Sequence, residues 1–180
     1  MVGKPLLLSK LVTQYKEWLT ATYSPPDIEA LRIDAAGYPA WTEIERYVAQ
    51  LLAQQQLASL SHADQVNLLY LIARNWDIGS LIGWLSPTPG SPLSNVGDLA
   101  VTDFLRLATT VVTLKHPALT DAKYQFAAAC RKFSALTKEL ETVLHAFCQD
   151  PDAYTRSQAE QSLRALGYVG PLSAVTEEGQ

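Results

Sequence analysis

The sequence predicts an all-α chain of seven or eight helices, and three observations carry that prediction. Apolar residues recur at three- to four-residue steps almost without interruption, which is the period of a helix with one buried face. No segment shows the period-two alternation and turn punctuation that strands require. At 48% hydrophobic and 18% charged, the 180 residues can bury roughly 70% of their unfolded surface, enough for one core. A single all-α domain over residues 1–170 is expected. Residues 171–180, with Pro171 and the polar run TEEGQ, have nothing to pack and are expected to be a disordered tail.

The elements follow in order. Leu8, Leu11, Val12, Tyr15, Leu19 and Thr22 form the first stripe, stopped by Ser24-Pro25-Pro26. Asp27 caps a short helix through Ile28, Leu31 and Ala35 that ends at Gly37. The next stripe is Trp41, Ile44, Val48, Leu51 and Leu52, with Gln50, Gln54, Gln55 and Gln56 on its wet side. Ser61 with Asp64 resembles a capping box for a helix containing NLLYLIA, which is apolar on every side and so should be the most buried element. Asp77 restarts a helix in which Ile78, Leu81, Ile82 and Leu85 share a face. Residues 86–97, SPTPGSPLSNVG, hold three prolines and two glycines and read as a long, partly ordered loop beside a binding face or at a hinge. A helix from about Asp98 to Lys115 follows. Phe126, Cys130, Phe133, Leu136, Leu140, Leu144 and Phe147 then keep helical spacing without Gly or Pro, so one long helix of nearly 30 residues, bent near Ser134, is expected over 120–149. In the closing helix Asp150 and Pro151 provide the start. Thr155, Ala159, Leu163 and Leu166 supply the apolar stripe, and Gly167 the stop.

Charge is distributed unevenly around a net of −4. Residues 24–105 hold three arginines against nine acids, a balance of −6, whereas 1–23 and 106–164 each stand at +2. An acidic middle repels phosphate backbones and steers a basic partner, so no nucleic acid is expected as ligand. The only apolar run at the N-terminus is Leu6-Leu7-Leu8, too short for the core of a signal peptide. No window approaches the ~20 apolar residues of a membrane span, so a cytoplasmic protein without membrane contact is expected. Cys130 and Cys148 lie in helical pattern and read as buried thiols.

Chemistry-bearing motifs are few. The chain has no glycine-rich phosphate loop, HExxH or GxSxG, and His62, His116 and His145 are far apart in sequence. Glu141, His145 and Cys148 share a helical face at i, i+4 and i+7, a workable spacing for metal ligands. Cys148 also continues an apolar side, and Glu141 with His145 makes an ordinary surface pair, so no metal is expected. No catalytic residues and no cofactor are expected either. Trp18 and Trp41 fall on or beside apolar stripes. Trp76 differs, because it sits at a turn among Arg74, Asn75 and Asp77, and a tryptophan beside polar groups has the composition of a binding hot spot. Arg74, Asn75, Trp76 and Asp77 are therefore the candidate partner-binding residues.

The segment LETVLHAFCQDPDAYTRSQAEQSLRALG, residues 140–167, resembles a HEAT-type repeat of the phycobilin-lyase kind: a first helix, a turn holding an aspartate, and a second helix carrying Arg156, Ala159 and Leu163. Residues 65–85, QVNLLYLIARNWDIGSLIGWL, look like a second, degenerate unit with Arg74-Asn75-Trp76-Asp77 at its turn. Thr155 departs from the branched apolar residue usual at its place. The resemblance implies an irregular HEAT-like α-solenoid, against which stands a compact helical bundle. Stacked helix pairs expose an extended face, so the expected function is a non-catalytic protein-binding module of adaptor, chaperone or immunity type. Its acidic helical face would meet a partner protein with a basic surface. The alternatives are an enzyme built on a helical concavity, such as a DNA glycosylase-like hydrolase using Trp76 and Asp77, and a small-ligand-binding bundle. Oligomeric state is not legible.

Overall fold

A computed structural model describes residues 5–24, 37–75, 79–86 and 98–172. Among these residues every regular element is helical: eight α-helices and three 3-10 turns, with no strand. The expected short helix from Asp27, the loop after Ser86 and the tail from residue 173 lie outside the described residues.

Helix α1, Pro5–Thr22, buries Leu8, Leu11, Val12, Tyr15 and Leu19, the expected stripe except for its last member, since Thr22 is exposed. Helix α2, Trp41–Ala53, buries Trp41, Ile44, Val48, Leu51 and Leu52 together with Tyr47. It stops at Gln55, whose φ of 53° is left-handed, and the N–H groups of Gln55 and Gln56 turn back to the carbonyls of Leu52 and Leu51. A left-handed helix stop of this kind is usually made by glycine and is built here on a glutamine. Helix α3, His62–Arg74, begins at Ser61, whose Oγ accepts from the Asp64 N–H at 3.1 Å and donates to Asp64 Oδ2 at 2.7 Å. Leu68, Leu69, Leu71, Ile72 and Ala73 on it are fully buried, but Asn67 and Tyr70 of the same run are half-buried, and the helix Thr120–Ala129 buries a larger share of its length, so α3 is not the most buried element that NLLYLIA predicts.

Helix α4 spans only Ser80–Leu85 and buries Leu81, Ile82 and Leu85. Helix α5, Asp98–Thr113, is fastened to the 3-10 turn Leu57–Ser59 by Arg106, which donates to the carbonyls of Ala58 (2.9 Å) and Leu57 (2.5 Å) and pairs with Asp103. The expected long helix over 120–149 is instead two. Helix α6, Thr120–Ala129, runs into the 3-10 turn Cys130–Lys132, and α7 spans Lys138–Phe147. Phe133 is extended, and Thr137 restarts the helix by accepting the Leu140 N–H on its hydroxyl. The reason is burial: an unbroken helix of that length would be a rod of about 45 Å. The break lets Leu140, Leu144 and Phe147 fold back onto the core alongside Phe126 and Cys130, all at zero exposure.

Helix α8, Ala153–Ala165, buries Thr155, Ala159 and Leu163 and ends at Gly167, φ 86°. Its cap is Asp152, which accepts from the Thr155 N–H at 2.7 Å. Asp150, expected to start the helix, is not that cap. It is buried just before the helix and receives the Asp152 N–H on Oδ1 at 2.9 Å. Thr155 is polar within an apolar stripe because its hydroxyl also bonds Asp152, at 2.8 Å.

Packing places α1 against α3, α3 against α6 and α6 against α8, so these four succeed one another side by side. Helix α5 contacts α3, α6 and α7, and α7 contacts α8; α4 packs on α2 and α6. One cluster of buried side chains runs from Leu8 to Leu163. Two buried side-chain bonds hold α6 between its neighbours: Gln125 donates to the Ile72 carbonyl of α3 at 2.9 Å, and Ser162 of α8 donates to the Ala127 carbonyl at 2.6 Å.

Candidate functional site

Of the four residues expected to bind a partner, Trp76 and Asp77 lie outside the described residues. Arg74 is half-buried, with its guanidinium carbon 5.3 Å from the centre of the Tyr70 ring. The Lys16 ammonium lies 4.7 Å from the same ring. Burial raises the Tyr70 hydroxyl above its ordinary pKa, against the opposing pull of Arg74. Asn75 is 1% exposed and serves the fold, since its Oδ1 accepts from the Leu81 N–H and the Ser80 hydroxyl, both at 3.0 Å. The start of α4 is thereby capped from across the turn; Asp77, which the sequence reads as the helix start, lies outside the described residues. Ser80 also donates to Glu45 of α2 at 2.7 Å.

The acidic region behaves similarly. Asp64 is a buried cap, Glu45 accepts from Ser80, and Asp103 pairs with Arg106 at 2.9 Å. Glu43, in the first turn of α2, is exposed. Desolvation raises the Asp103 carboxyl above its ordinary value, with Arg106 working in the opposite direction.

A different place has the geometry of a site. The α5–α6 connection and the α7–α8 turn open onto one cleft of about 800 Å³, within the ~300–1,000 Å³ range of ligand pockets. On one side stand Lys115, His116 and Pro117, then Thr120 and Lys123 of α6; on the other are Gln149, Asp150 and Asp152. Lys123 Nζ meets Asp150 Oδ2 at 2.8 Å, with side-chain exposures of 8% and 3%, so the pair is an internal bridge between the two helix pairs. Arg156 closes the turn by donating to the carbonyls of Asp150 and Pro151, each at 2.8 Å. The wall is stiff because these polar groups hold one another in place.

The rim is different. Lys115 and His116 are exposed, and neither has an ion-pair partner among the described residues. His116 Nδ1 accepts from the Ala118 N–H at 3.1 Å, which leaves the proton of the neutral ring on Nε2. The cleft thus presents two unpaired basic side chains above a neutralised Lys123–Asp150 pair and an Asp152 carboxylate already engaged as a helix cap.

None of this was singled out from sequence. The signal that could have found it is Lys123 itself, a charged residue three and four positions before the core residues Phe126 and Ala127, where a lysine needs a buried partner.

The Glu141, His145 and Cys148 constellation does not come together as a ligand set. Glu141 and His145 stand 3.7 Å apart at the surface, His145 packs edge-on against Tyr168 at 5.0 Å, and the Cys148 thiol is buried. Burial, aided by the charge of Glu160, pushes that thiol up to about 11, and burial pushes Cys130 up to about 12. Neither sulfur is a ready nucleophile near neutral pH. Among the described residues there is no group of three metal-ligating side chains, and no helix is long and apolar enough to cross a membrane. Comparison of the chain with models of known families, with curated proteins and with solved structures gave no match in any of the three.

Proposed function

We propose that this chain is a non-catalytic protein-binding module and that the cleft between the α5–α6 and α7–α8 turns is part of its recognition surface. The observation that carries the reading is the wiring of that cleft: its wall is braced by a buried ion pair while unpaired basic groups stand at its rim. A preordered concave surface loses little entropy when a partner docks, and that is where affinity is gained. The succession of α6 beside α8, each paired with the helix before it, also supports a HEAT-like stacking of pairs in the C-terminal half. The acidic surplus of residues 24–105 supplies a long-range field that speeds encounter with a partner carrying a basic surface.

The test is a photo-crosslinking residue at the exposed cleft residue Gln149, with a second at exposed Gln14 on α1 as control, in native lysate. A single recurrent protein, identified by mass spectrometry, bound again after purification of both partners and captured from Gln149 alone, is the expected result. Substrate turnover by the purified chain that is lost in Asp77→Asn would replace this reading with the enzyme. A small-ligand site is the second reading, favoured by the volume of the cleft. Native mass spectrometry showing a stoichiometric small molecule on the purified protein would establish it instead.

A further inference from the structure

We propose that Lys16, Tyr70 and Arg74, where α1 packs on α3, form a binding site for a single phosphate group. The site shares no residue with the lining of the cleft, and the proposal does not depend on the protein-binding reading.

Three donors gather around one ring. The Lys16 ammonium and the Arg74 guanidinium carbon lie 4.7 and 5.3 Å from the centre of the Tyr70 ring, so the two charges stand no farther apart than about 10 Å, one Debye length at ~0.1 M salt. The ring face attracts each cation, but the cations repel one another and the ring brings no net negative charge. Neither has an ion-pair partner among the described residues, where the pairs are Arg106–Asp103, Lys123–Asp150 and His145–Glu141. The guanidinium donates to the Tyr70 hydroxyl, which leaves that hydroxyl its own proton to give. Arg74 Nε is a buried N–H without an acceptor among the described residues.

The carboxylates nearby in the chain or the fold act elsewhere. Burial first, then the charges of Glu43 and Glu17, raise the Tyr38 hydroxyl above its ordinary pKa, so Glu17, next to Lys16 in the chain, acts towards Tyr38. Glu45 accepts from Ser80 at 2.7 Å, and Asp64 is bonded to Ser61 at the opposite end of α3. An arginine in the last turn of α3 suits the helix dipole, but that does not explain the lysine brought to the same ring from α1. Donors without an acceptor select an oxyanion, and their number selects phosphate. A carboxylate has two oxygens and one charge, which a guanidinium alone satisfies. A phosphate monoester carries close to two negative charges and three free oxygens, one for each of the three side chains. A nucleic-acid backbone fits less well, because one pair of cations neutralises little of it and the chain as a whole carries −4. The group bound belongs either to free phosphate or a small phosphate ester, or to a phosphorylated side chain of another protein.

Titration with inorganic phosphate at constant ionic strength, followed in nitrogen–proton correlation spectra of the isotope-labelled full chain, tests the proposal. A saturable shift of the Arg74 Nε–H signal and of the backbone amides of Lys16 and Tyr70 is expected, and acetate should not produce it. Lys16→Gln and Arg74→Gln, followed through the amides, should each weaken phosphate binding roughly tenfold. Lys10→Gln, which alters an exposed lysine elsewhere on α1, should leave it unchanged. Lys16 is exposed, so an unaltered melting temperature shows that Lys16→Gln is folded, and its result stands even where Arg74→Gln does not fold. A phosphoserine tripeptide that shifts the same signals at lower concentration than inorganic phosphate assigns the group to a phosphorylated side chain. Binding of the tripeptide no tighter than that of phosphate assigns it to the free ion or a small ester. The absence of a saturable shift, an equal response to acetate, wild-type affinity in folded Lys16→Gln, or tighter binding of a single-stranded oligonucleotide overturns the proposal.

Discussion

Replacing Lys123 by methionine removes one half of the buried bridge that braces the cleft, and the structure sets the scale of the damage. At 2.8 Å, and with an effective dielectric of about 20, the attraction in the pair is about 6 kcal/mol. Desolvating the two ions costs several kcal/mol each, so the intact pair contributes little net stability. The single replacement is a different matter. Asp150, at 5% exposure, keeps its desolvation cost and loses its counter-charge, retaining the Asp152 N–H on Oδ1. Lys123→Met is therefore expected to cost about 3–5 kcal/mol, in the range for breaking buried pairs. For a chain of this size that lowers Tm by roughly 6–20 °C. Urea denaturation followed by circular dichroism measures it. The companion variant Lys123→Met/Asp150→Asn keeps an oxygen for the Asp152 N–H and removes the orphaned charge, and should recover more than half of the loss. A single variant that loses less than about 1 kcal/mol, or a double variant no better than the single, would show that the pair is solvated and that the cleft wall is not braced by it.

Four further outcomes follow from the packing. Leu69→Ala, at zero exposure in the centre of α3, should cost about 2–5 kcal/mol by denaturant unfolding; a change within error would place α3 at the surface. Asn75→Ala removes the acceptor for the Leu81 N–H and should cost about 1–2 kcal/mol, with raised amide exchange confined to the start of α4. Gly167→Ala should destabilise by about 1 kcal/mol or more and Gln55→Gly should stabilise by a similar amount, both read by thermal unfolding. Both sites have positive φ, and a Cβ at residue 167 meets no atom within 4 Å, so only backbone conformation is at stake. Cys130, pushed to about 12 from an ordinary 9.0, keeps its proton in the fold where the unfolded chain releases it. Stability should then fall as pH rises from 9 towards 12, by up to about 1.4 kcal/mol per pH unit, and Cys130→Ala should remove that part of the slope.

The helices themselves were legible because their determinants are local. The stripes of α1, α2 and α8 each report one buried face, and NLLYLIA reports a helix with a wide buried face from which only Asn67 and Tyr70 of that run reach partly into solvent. Ser61 and Gly167 act within a turn of their own helix ends. Local rules misled where two features competed. Helical spacing runs through 120–149, yet Thr137 is a good helix start, and only the space beside α5 and α8 decides that the chain should break there and return. Asp150 has the composition of a cap next to Pro151, but a lysine 27 residues earlier in the chain claims its carboxylate, and Asp152 takes over the capping.

What the sequence by itself determined is the all-α class, the faces that face inward and most of the helix ends, since backbone propensity, capping and amphipathic period act over about four residues or fewer. The tertiary structure alone decided which charged groups are spent inside the fold and which stay exposed and without an ion-pair partner among the described residues. Asn75 became a cap for α4, Lys123 and Asp150 cancelled each other, and Lys115 and His116 remained unpaired at the mouth of a cleft. The physical reason is that the cost of an ionised or polar group depends on what lies within a few ångströms of it, and those neighbours come from distant parts of the chain.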